Sequence, residues 1–248
     1  VVADFIASKE SQVPAGEYRA GQDMFLAGQE GYFFPTDQIR VVGRVNALAL
    51  AEKEGVYVRA LNTGVINTIE GPSNLLIDPT KAQLITRDVL PDRRKLYGLI
   101  HGPHFHAPTV YVPPSTAILV TSKDKREVVT GPVTRILDYT EELEVLTLST
   151  GRPKSDDSLL PTCFLQIQGN KVSDHVQIQT ADHVWLRVQL SYRVSFVGDS
   201  ARWFNVKNYV ALLCDHLGSI IRGAARSSSI DVLYGSSTEI IRSAILGP

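Results

Sequence analysis

From residue 1 to about residue 197 the apolar positions come in short bursts, broken by Gly, Pro, Asn and Asp, and no stretch holds a 3.6-residue period. The bursts at residues 23–27, 39–42, 56–60, 65–69, 74–77, 118–120, 128–129, 135–137 and 143–148 read as short strands. The clearest covers residues 183–196. Val184, Leu186, Val188, Leu190, Tyr192, Val194 and Phe196 fall on one face, and Trp185, Arg187, Gln189, Ser191, Arg193 and Ser195 on the other. Strict alternation over that length predicts one buried face and one wetter face. Residues 176–180 are expected to pair with it through the Ala181-Asp182 turn. Residues 163–168 are expected to add a third strand, ending at the Gly169-Asn170 turn.

After Gly198 the period changes. Val206, Val210, Leu213, Leu217, Ile220 and Ala224 step by 4, 3, 4, 3 and 4, which is the stripe of an amphipathic helix. Ser236, with Glu239 three residues on, matches a capping box. It opens a second helix with Ile240, Ile241, Ala244 and Ile245 on its apolar face, stopped by Gly247-Pro248. The last ~90 residues therefore predict an antiparallel sheet covered by two helices.

An internal repeat stands in front of this part. Gly71-Pro72-Ser73-Asn74-Leu75-Leu76-Ile77-Asp78 returns 60 residues later as Gly131-Pro132-Val133-Thr134-Arg135-Ile136-Leu137-Asp138. Upstream, Phe34-Pro35-Thr36-Asp37-Gln38-Ile39 echoes Pro113-Pro114-Ser115-Thr116-Ala117-Ile118 at a spacing of 79, so the first copy is expected to carry about 19 extra residues between its two signatures. A period of ~60–80 residues predicts a linear array of small β modules, each leaning on its neighbours. The fold class is α+β: tandem small antiparallel β repeat modules followed by an α/β module, an antiparallel sheet covered by helices.

Composition narrows the function. The 248 residues hold 25 Lys plus Arg against 26 Asp plus Glu, a formal net charge of -1. Non-specific nucleic-acid binding needs a basic excess, so direct DNA binding is not expected. Two cysteines cannot staple a chain of this length and fit a reducing, cytoplasmic setting. The apolar runs are too short for a membrane span or a signal peptide, and no membrane anchor is read.

Each candidate for chemistry has a blander reading that outweighs it. His101, His104 and His106 could bring two imidazoles to one metal, but neither Cys nor carboxylate lies close enough in sequence to complete the set, and a solvated loop is favoured. Cys163 lies in a strand and Cys214 in a helix, where buried inert thiols are the default; His216, two residues from Cys214, points elsewhere. The adjacent pairs Glu141-Glu142 and Asp156-Asp157 face opposite sides and are read as solvated turn charges. Asp182-His183 cannot join Ser191 in a triad, because eight residues of one strand separate the His and Ser by ~26 Å. Arg222, Arg226 and Arg242 form a modest basic set, suited to a solvated face or an inter-subunit contact. Phosphate-binding glycine loops are absent from the sequence. No catalytic, cofactor-binding or metal site is assigned, and no cofactor.

Three stretches resemble the major vault protein family. The first is Tyr18-Arg19-Ala20-Gly21-Gln22-Asp23-Met24-Phe25-Leu26 with Gly31-Tyr32-Phe33-Phe34-Pro35 and Val41-Val42. The second is Glu54-Gly55-Val56-Tyr57-Val58 with Asn62-Thr63-Gly64. The third is Glu144-Val145-Leu146-Thr147-Leu148-Ser149-Thr150-Gly151-Arg152-Pro153-Lys154, followed by Gln179-Thr180-Ala181-Asp182-His183 and Leu190-Ser191-Tyr192. The resemblance implies late β repeats and a shoulder similar to the core of band-7 proteins, the stomatin group: residues 1–42 would be the end of one β repeat, 43–109 a complete repeat, 110–153 the last repeat and 154–248 the shoulder. Ser229-Ile230-Asp231-Val232-Leu233-Tyr234 resembles that group's connection between helices. It further implies a non-enzymatic shell subunit that assembles with itself into a large cyclic homo-oligomer. Protein cargo and a small RNA would belong to the full particle. The alternative is a band-7-like scaffold on a membrane surface.

Overall fold

A computed structural model describes residues 1–7, 12–27, 32–99 and 106–247. The chain divides into two compact units. The first takes Val1–Val89 with residues 106–109 and Ile136–Tyr139, and the second takes Leu90–Leu99, Val110–Arg135 and residues 140–247. The first unit opens with a small hairpin of β1 (Phe5–Ala7) and β2 (Gly16–Tyr18). The expected strands at residues 23–27 and 39–42 do not form, and Val41 and Val42 are exposed. An apolar burst becomes a strand only where a second chain segment completes its backbone hydrogen bonds.

The complete module follows. It consists of β3 (Leu48–Leu50), β4 (Gly55–Ala60), β5 (Ile66–Glu70), β6 (Ser73–Leu75) and β7 (Ala82–Ile85). β3 pairs with β6, and β4 lies between β5 and β7. After α1 (Pro91–Tyr97) the same scheme recurs. β8 (Thr109–Val112) precedes β9 (Thr116–Thr121), β10 (Arg126–Thr130), β11 (Val133–Ile136) and β12 (Glu142–Leu143). β8 pairs with β11, and β9 lies between β10 and β12. The repeat read from Gly-Pro and Asp is thus a repeat of strand pairing.

Its upstream half needs correction. The Gly71 N–H donates to the Glu54 carbonyl and the Gly131 N–H to the Thr116 carbonyl, both at 2.8 Å. Glu54 is therefore the counterpart of Thr116, and residues 51–56, not Phe34–Ile39, answer to residues 113–118. There is no 19-residue insertion. The two copies differ by two residues in the turn between the paired positions of the two strands, residues 60–65 against 122–125. The Phe-Pro-Thr likeness was one of composition, whereas hydrogen bonds count backbone positions. The two glycines are fixed by crowding. A Cβ at Gly71 would run into the Ala51 carbonyl oxygen, and one at Gly131 into that of Pro113, with the Val112 oxygen 2.5 Å away.

The helix α1 was not anticipated. Seven residues are too few for a periodicity to declare itself, and tertiary contacts stabilise so short a helix. Tyr97 is buried and donates its hydroxyl to the Leu143 carbonyl at 3.4 Å, while Arg93 pairs with Glu142 at 2.7 Å.

Beyond the second module, β13 (Leu146–Ser149) pairs with β14 (Leu159–Thr162). β15 (Leu165–Gln166) then pairs with β9, Leu165 opposite Ala117. The expectation of a three-stranded sheet including residues 163–168 is therefore wrong. β16 (Asn170–Gln179) and β17 (Trp185–Val194) form a two-stranded ribbon in full register, from Asn170↔Val194 to Gln179↔Trp185.

One face of the ribbon meets two helices, α2 (Tyr209–Arg226) and α3 (Ile230–Leu246). The buried line of α2 is Val210, Cys214, Gly218, Ile221 and Ala225. It shares Val210 with the predicted stripe and from there runs one position beyond it: Leu213, Leu217, Ile220 and Ala224 are half-buried and Val206 is exposed. A wide apolar stripe leaves its centre line undefined until a partner surface selects it. α3 starts seven residues earlier than predicted, with Ser229 as N-cap. Ser236 sits inside it at a kink (φ -137°, ψ 31°), its hydroxyl donating to the Val232 carbonyl instead of closing a capping box.

Apolar clusters hold the described residues of the second unit. Ala117, Leu119, Leu146, Leu165, Val172, Phe204, Tyr209, Val210 and Cys214 form one, with Phe196 edge-on to Tyr209 at 5.0 Å. Val176, Ile178, Ile221, Ala225 and Leu233 form another. The fold is α+β: small antiparallel β modules followed by a shoulder of two-stranded ribbon and helices.

Candidate assembly surfaces

The turn between β16 and β17 holds the corner between α2 and α3. Its Ala181 N–H donates to the Ser228 carbonyl at 2.9 Å, and both carboxylate oxygens of Asp182 accept from the Ile230 N–H at 3.2 Å. Ile230 is the first residue of α3, so a negative charge lies at the positive end of that helix. Asp182, weighed in the sequence for a triad, is thus a cap. The Thr180 hydroxyl beside it and the Ile230 N–H hold its carboxyl below the usual aspartate range. A depressed folded-state pKa contributes stability above the unfolded value of about 3.9, and that contribution is lost as pH falls through the lower folded value. Asp182→Ala should therefore raise amide exchange in the first turn of α3 at pH 7, and the difference from the parent should vanish in strong acid. A difference that persists unchanged into acid would mean that the carboxylate charge is irrelevant.

The outward face of the ribbon presents Lys171, Gln177, Trp185, Arg187, Gln189, Ser191 and Arg193, all exposed. On the helices, Leu212, Val232, Tyr234 and Leu246 are exposed apolar residues, Tyr234 at 90%. The cations of this region divide. Lys207 pairs with Glu144 at 3.0 Å, and Arg222 folds back to donate Nε to the Gln177 carbonyl at 3.3 Å. Arg226 and Arg242 are exposed, as is Asp215.

Other sequence candidates find structural places. His101 and His104 lie outside the described residues. His106 bridges Val56, its Nδ1 3.7 Å from Glu54 Oε1. Among the described residues no group of three or more His, Cys, Asp or Glu could hold a metal ion. Glu141 corrects the reading of solvated turn charges. It is buried and accepts from Arg135 at 2.9 Å, while Glu142 on the opposite side pairs with Arg93. Asp156 and Asp157 are exposed, Asp157 accepting from the Ser155 hydroxyl.

Both cysteines are buried free thiols. Burial pushes the Cys163 thiol up to about 12. Burial also raises Cys214, which lies 3.0 Å from the Tyr192 hydroxyl. A protonated, buried thiol is a poor nucleophile. Neither should react with a thiol reagent at pH 8 in the folded protein, and both should react in denaturant; rapid reaction of the native protein would show an open path to one of them. An unfolded chain would lose its thiol proton near pH 9 while the folded one keeps it to about 12, so this term weakens stability across that range.

Sequence reasoning missed Asp174. It occupies the buried parity of β16 between Val172 and Val176 and accepts from the Lys154 N–H at 3.0 Å. A lone carboxylate on an apolar face was the available signal.

These features define a structural repeat chain: paired β modules, then an α+β shoulder whose outer surfaces mix cations with exposed aromatics. Comparison with known proteins gives the family. The shoulder domain profile of major vault proteins matches residues 168–248. The major vault protein of Gallus gallus is 32% identical over 256 residues, covering 92% of this chain and 30% of its own length. That of Homo sapiens is 30% identical, covering 93% and 29%. Major vault protein beta of Dictyostelium discoideum is 27% identical, covering 87% and 27%. Over nearly its whole length the chain is of the major vault protein family, and it spans about 30% of the length of the relatives it matches. No helix among the described residues is long and apolar enough to cross a membrane.

Proposed function

We propose that this chain is the late-repeat and shoulder portion of a structural shell subunit, one that assembles side by side with copies of itself into a large hollow vault-like particle in the cytoplasm. The observation that carries this reading is the recurrence of one strand-pairing scheme in two successive modules, running into a shoulder related to that of major vault proteins. Modules in series set a long axis. Copies then meet through module flanks and shoulder helices, which offer side-chain specificity without open backbone groups. A closed ring satisfies every such contact by symmetry. The role is mechanical and not catalytic. Residues 1–42, 43–109, 110–153 and 154–248 are the working divisions, and protein cargo or a small RNA would be contents of the complete particle.

Negative-stain imaging of the full-length gene product tests the reading. Barrel-shaped hollow particles are expected. Monodisperse monomers under all conditions, or binding to lipid vesicles without particles, would overturn it, the latter in favour of a membrane-surface scaffold.

A further inference from the structure

The ribbon of β16 and β17 has two long edges, and they are not alike. At its turn the Thr180 N–H donates to the Val184 carbonyl at 3.0 Å, which carries the register Gln179↔Trp185 one step on. The even-numbered pairs are therefore the hydrogen-bonded ones, and the odd-numbered residues turn their N–H and C=O groups away from the partner strand. On β16 such outward groups find partners. The Gln177 carbonyl accepts from Arg222 Nε of α2 at 3.3 Å, and the His175 N–H donates to the Asp174 carboxylate at 2.7 Å. The same carboxylate accepts from the Lys154 N–H, which brings the chain at Lys154 alongside. On β17 the outward N–H and C=O groups of Trp185, Arg187, Gln189, Ser191 and Arg193 meet no other group among the described residues.

Burial repeats the asymmetry. On the helix-facing side Val172, Val176 and Ile178 of β16 are 6%, 3% and 1% exposed, whereas Leu186, Val188 and Leu190 of β17 are only half-buried. The helix α2 lies over β16, and the apolar row of β17 is left open along its free side. The opposite face of the ribbon carries Lys171, Arg187 and Arg193 with the His175 imidazole, and no carboxylate. Trp185 at one end of it is 68% exposed. An edge strand of ten residues with an open backbone row is a template for pairing with a further chain.

We propose that the free edge of β17 is a docking site for an extended segment of another protein in which acidic and apolar residues alternate. The backbone of that segment completes the outward N–H and C=O row as a third strand. Its apolar side chains fall beside Leu186, Val188 and Leu190, and its carboxylates beside Arg187 and Arg193, because neighbours across a strand pair share a face. Trp185 adds an aromatic anchor at one end. A second copy of this chain does not fit the part. Neither strand of the ribbon has a carboxylate on its outer face, so pairing ribbon to ribbon gathers cations in every register that keeps the apolar rows together. The chain's own alternating run, Glu142 to Val145, is taken up by β9, the Glu144 N–H donating to the Leu119 carbonyl at 2.9 Å. A nucleic-acid strand would use the cations but neither the backbone row nor the apolar one. The proposal does not depend on the shell reading.

The test titrates the 248-residue chain into a fluorescent peptide of alternating glutamate and valine, matched to the ten residues of β17 and blocked at both ends, and follows anisotropy. Saturable binding is expected. Two further peptides, N-methylated at every glutamate or at every valine, separate strand addition from plain charge attraction. One should bind at least tenfold more weakly and the other should bind as before, because only one set of peptide N–H groups faces β17. Arg187→Glu together with Arg193→Glu should weaken binding at least tenfold. Gln189→Pro removes an outward N–H that the ribbon does not use, and it should do the same with the far-UV spectrum unchanged. Amide exchange at Arg187, Gln189, Ser191 and Arg193 should be fast in the free chain and slow at saturation. The N-methylated pair is read on the parent chain, so the result does not depend on a variant folding. No saturable binding, or equal affinities of the two N-methylated peptides, would overturn the proposal. Protection of those four amides in the free chain that grows with protein concentration would assign the edge to a second copy. An oligouridylate that displaces the peptide and binds Gln189→Pro as tightly as the parent would assign the face to nucleic acid; either result refutes the proposal.

Discussion

Replacing Gly131 by alanine is expected to destabilise the second unit by about 3 kcal/mol, the upper range for overpacking. Gly131 does not occupy the left-handed region, so backbone freedom is not the reason. The reason is that its Cα passes so close to the chain between β8 and β9 that any side chain must displace the Pro113 and Val112 carbonyls. Those backbone groups lead directly into β9, the central strand of the module, and cannot yield locally. Gly223 is the control. A Cβ there meets nothing within 4 Å on the exposed side of α2, so Gly223→Ala should stabilise by about 0.5–1 kcal/mol through helix propensity. Urea unfolding followed by circular dichroism measures both. A loss below about 0.5 kcal/mol for Gly131→Ala would mean that the turn opens freely and that the close approach is not what sets the pairing.

The second large effect belongs to Ile221. Its side chain is 1% exposed and lies among Val176, Ile178, Ala225 and Leu233, where the ribbon and both helices meet. Ile221→Ala should cost about 2–5 kcal/mol, the removed methyl groups and the cavity both counting. Leu213, the centre of the stripe as read from spacing alone, is half-buried beside the other cluster, and Leu213→Ala should cost less. The order of the two losses is the test. A larger loss at Leu213 would put the centre of the helix interface back where the spacing placed it.

Some of this architecture is written locally and some is not. The alternation at residues 183–196 placed Leu186, Val188 and Leu190 on the packed face of β17, because successive side chains of any strand point to opposite sides. Gly71-Pro72 and Gly131-Pro132 announced the repeat, because the same close backbone approach selects glycine in both copies. By contrast, β15 pairs with β9, about 48 residues earlier in the chain, and nothing in residues 163–168 names that partner. Asp182 caps a helix that begins 48 residues later, and Glu141 is buried by its pairing with Arg135, contacts to which strand periodicity is blind. Residue order set which positions are apolar, how often they recur and where glycine is required, since these depend on each residue's own geometry and its immediate neighbours. Strand partners and the buried line of α2 followed only from folding in three dimensions, because burial and hydrogen bonding are properties of which distant surfaces meet.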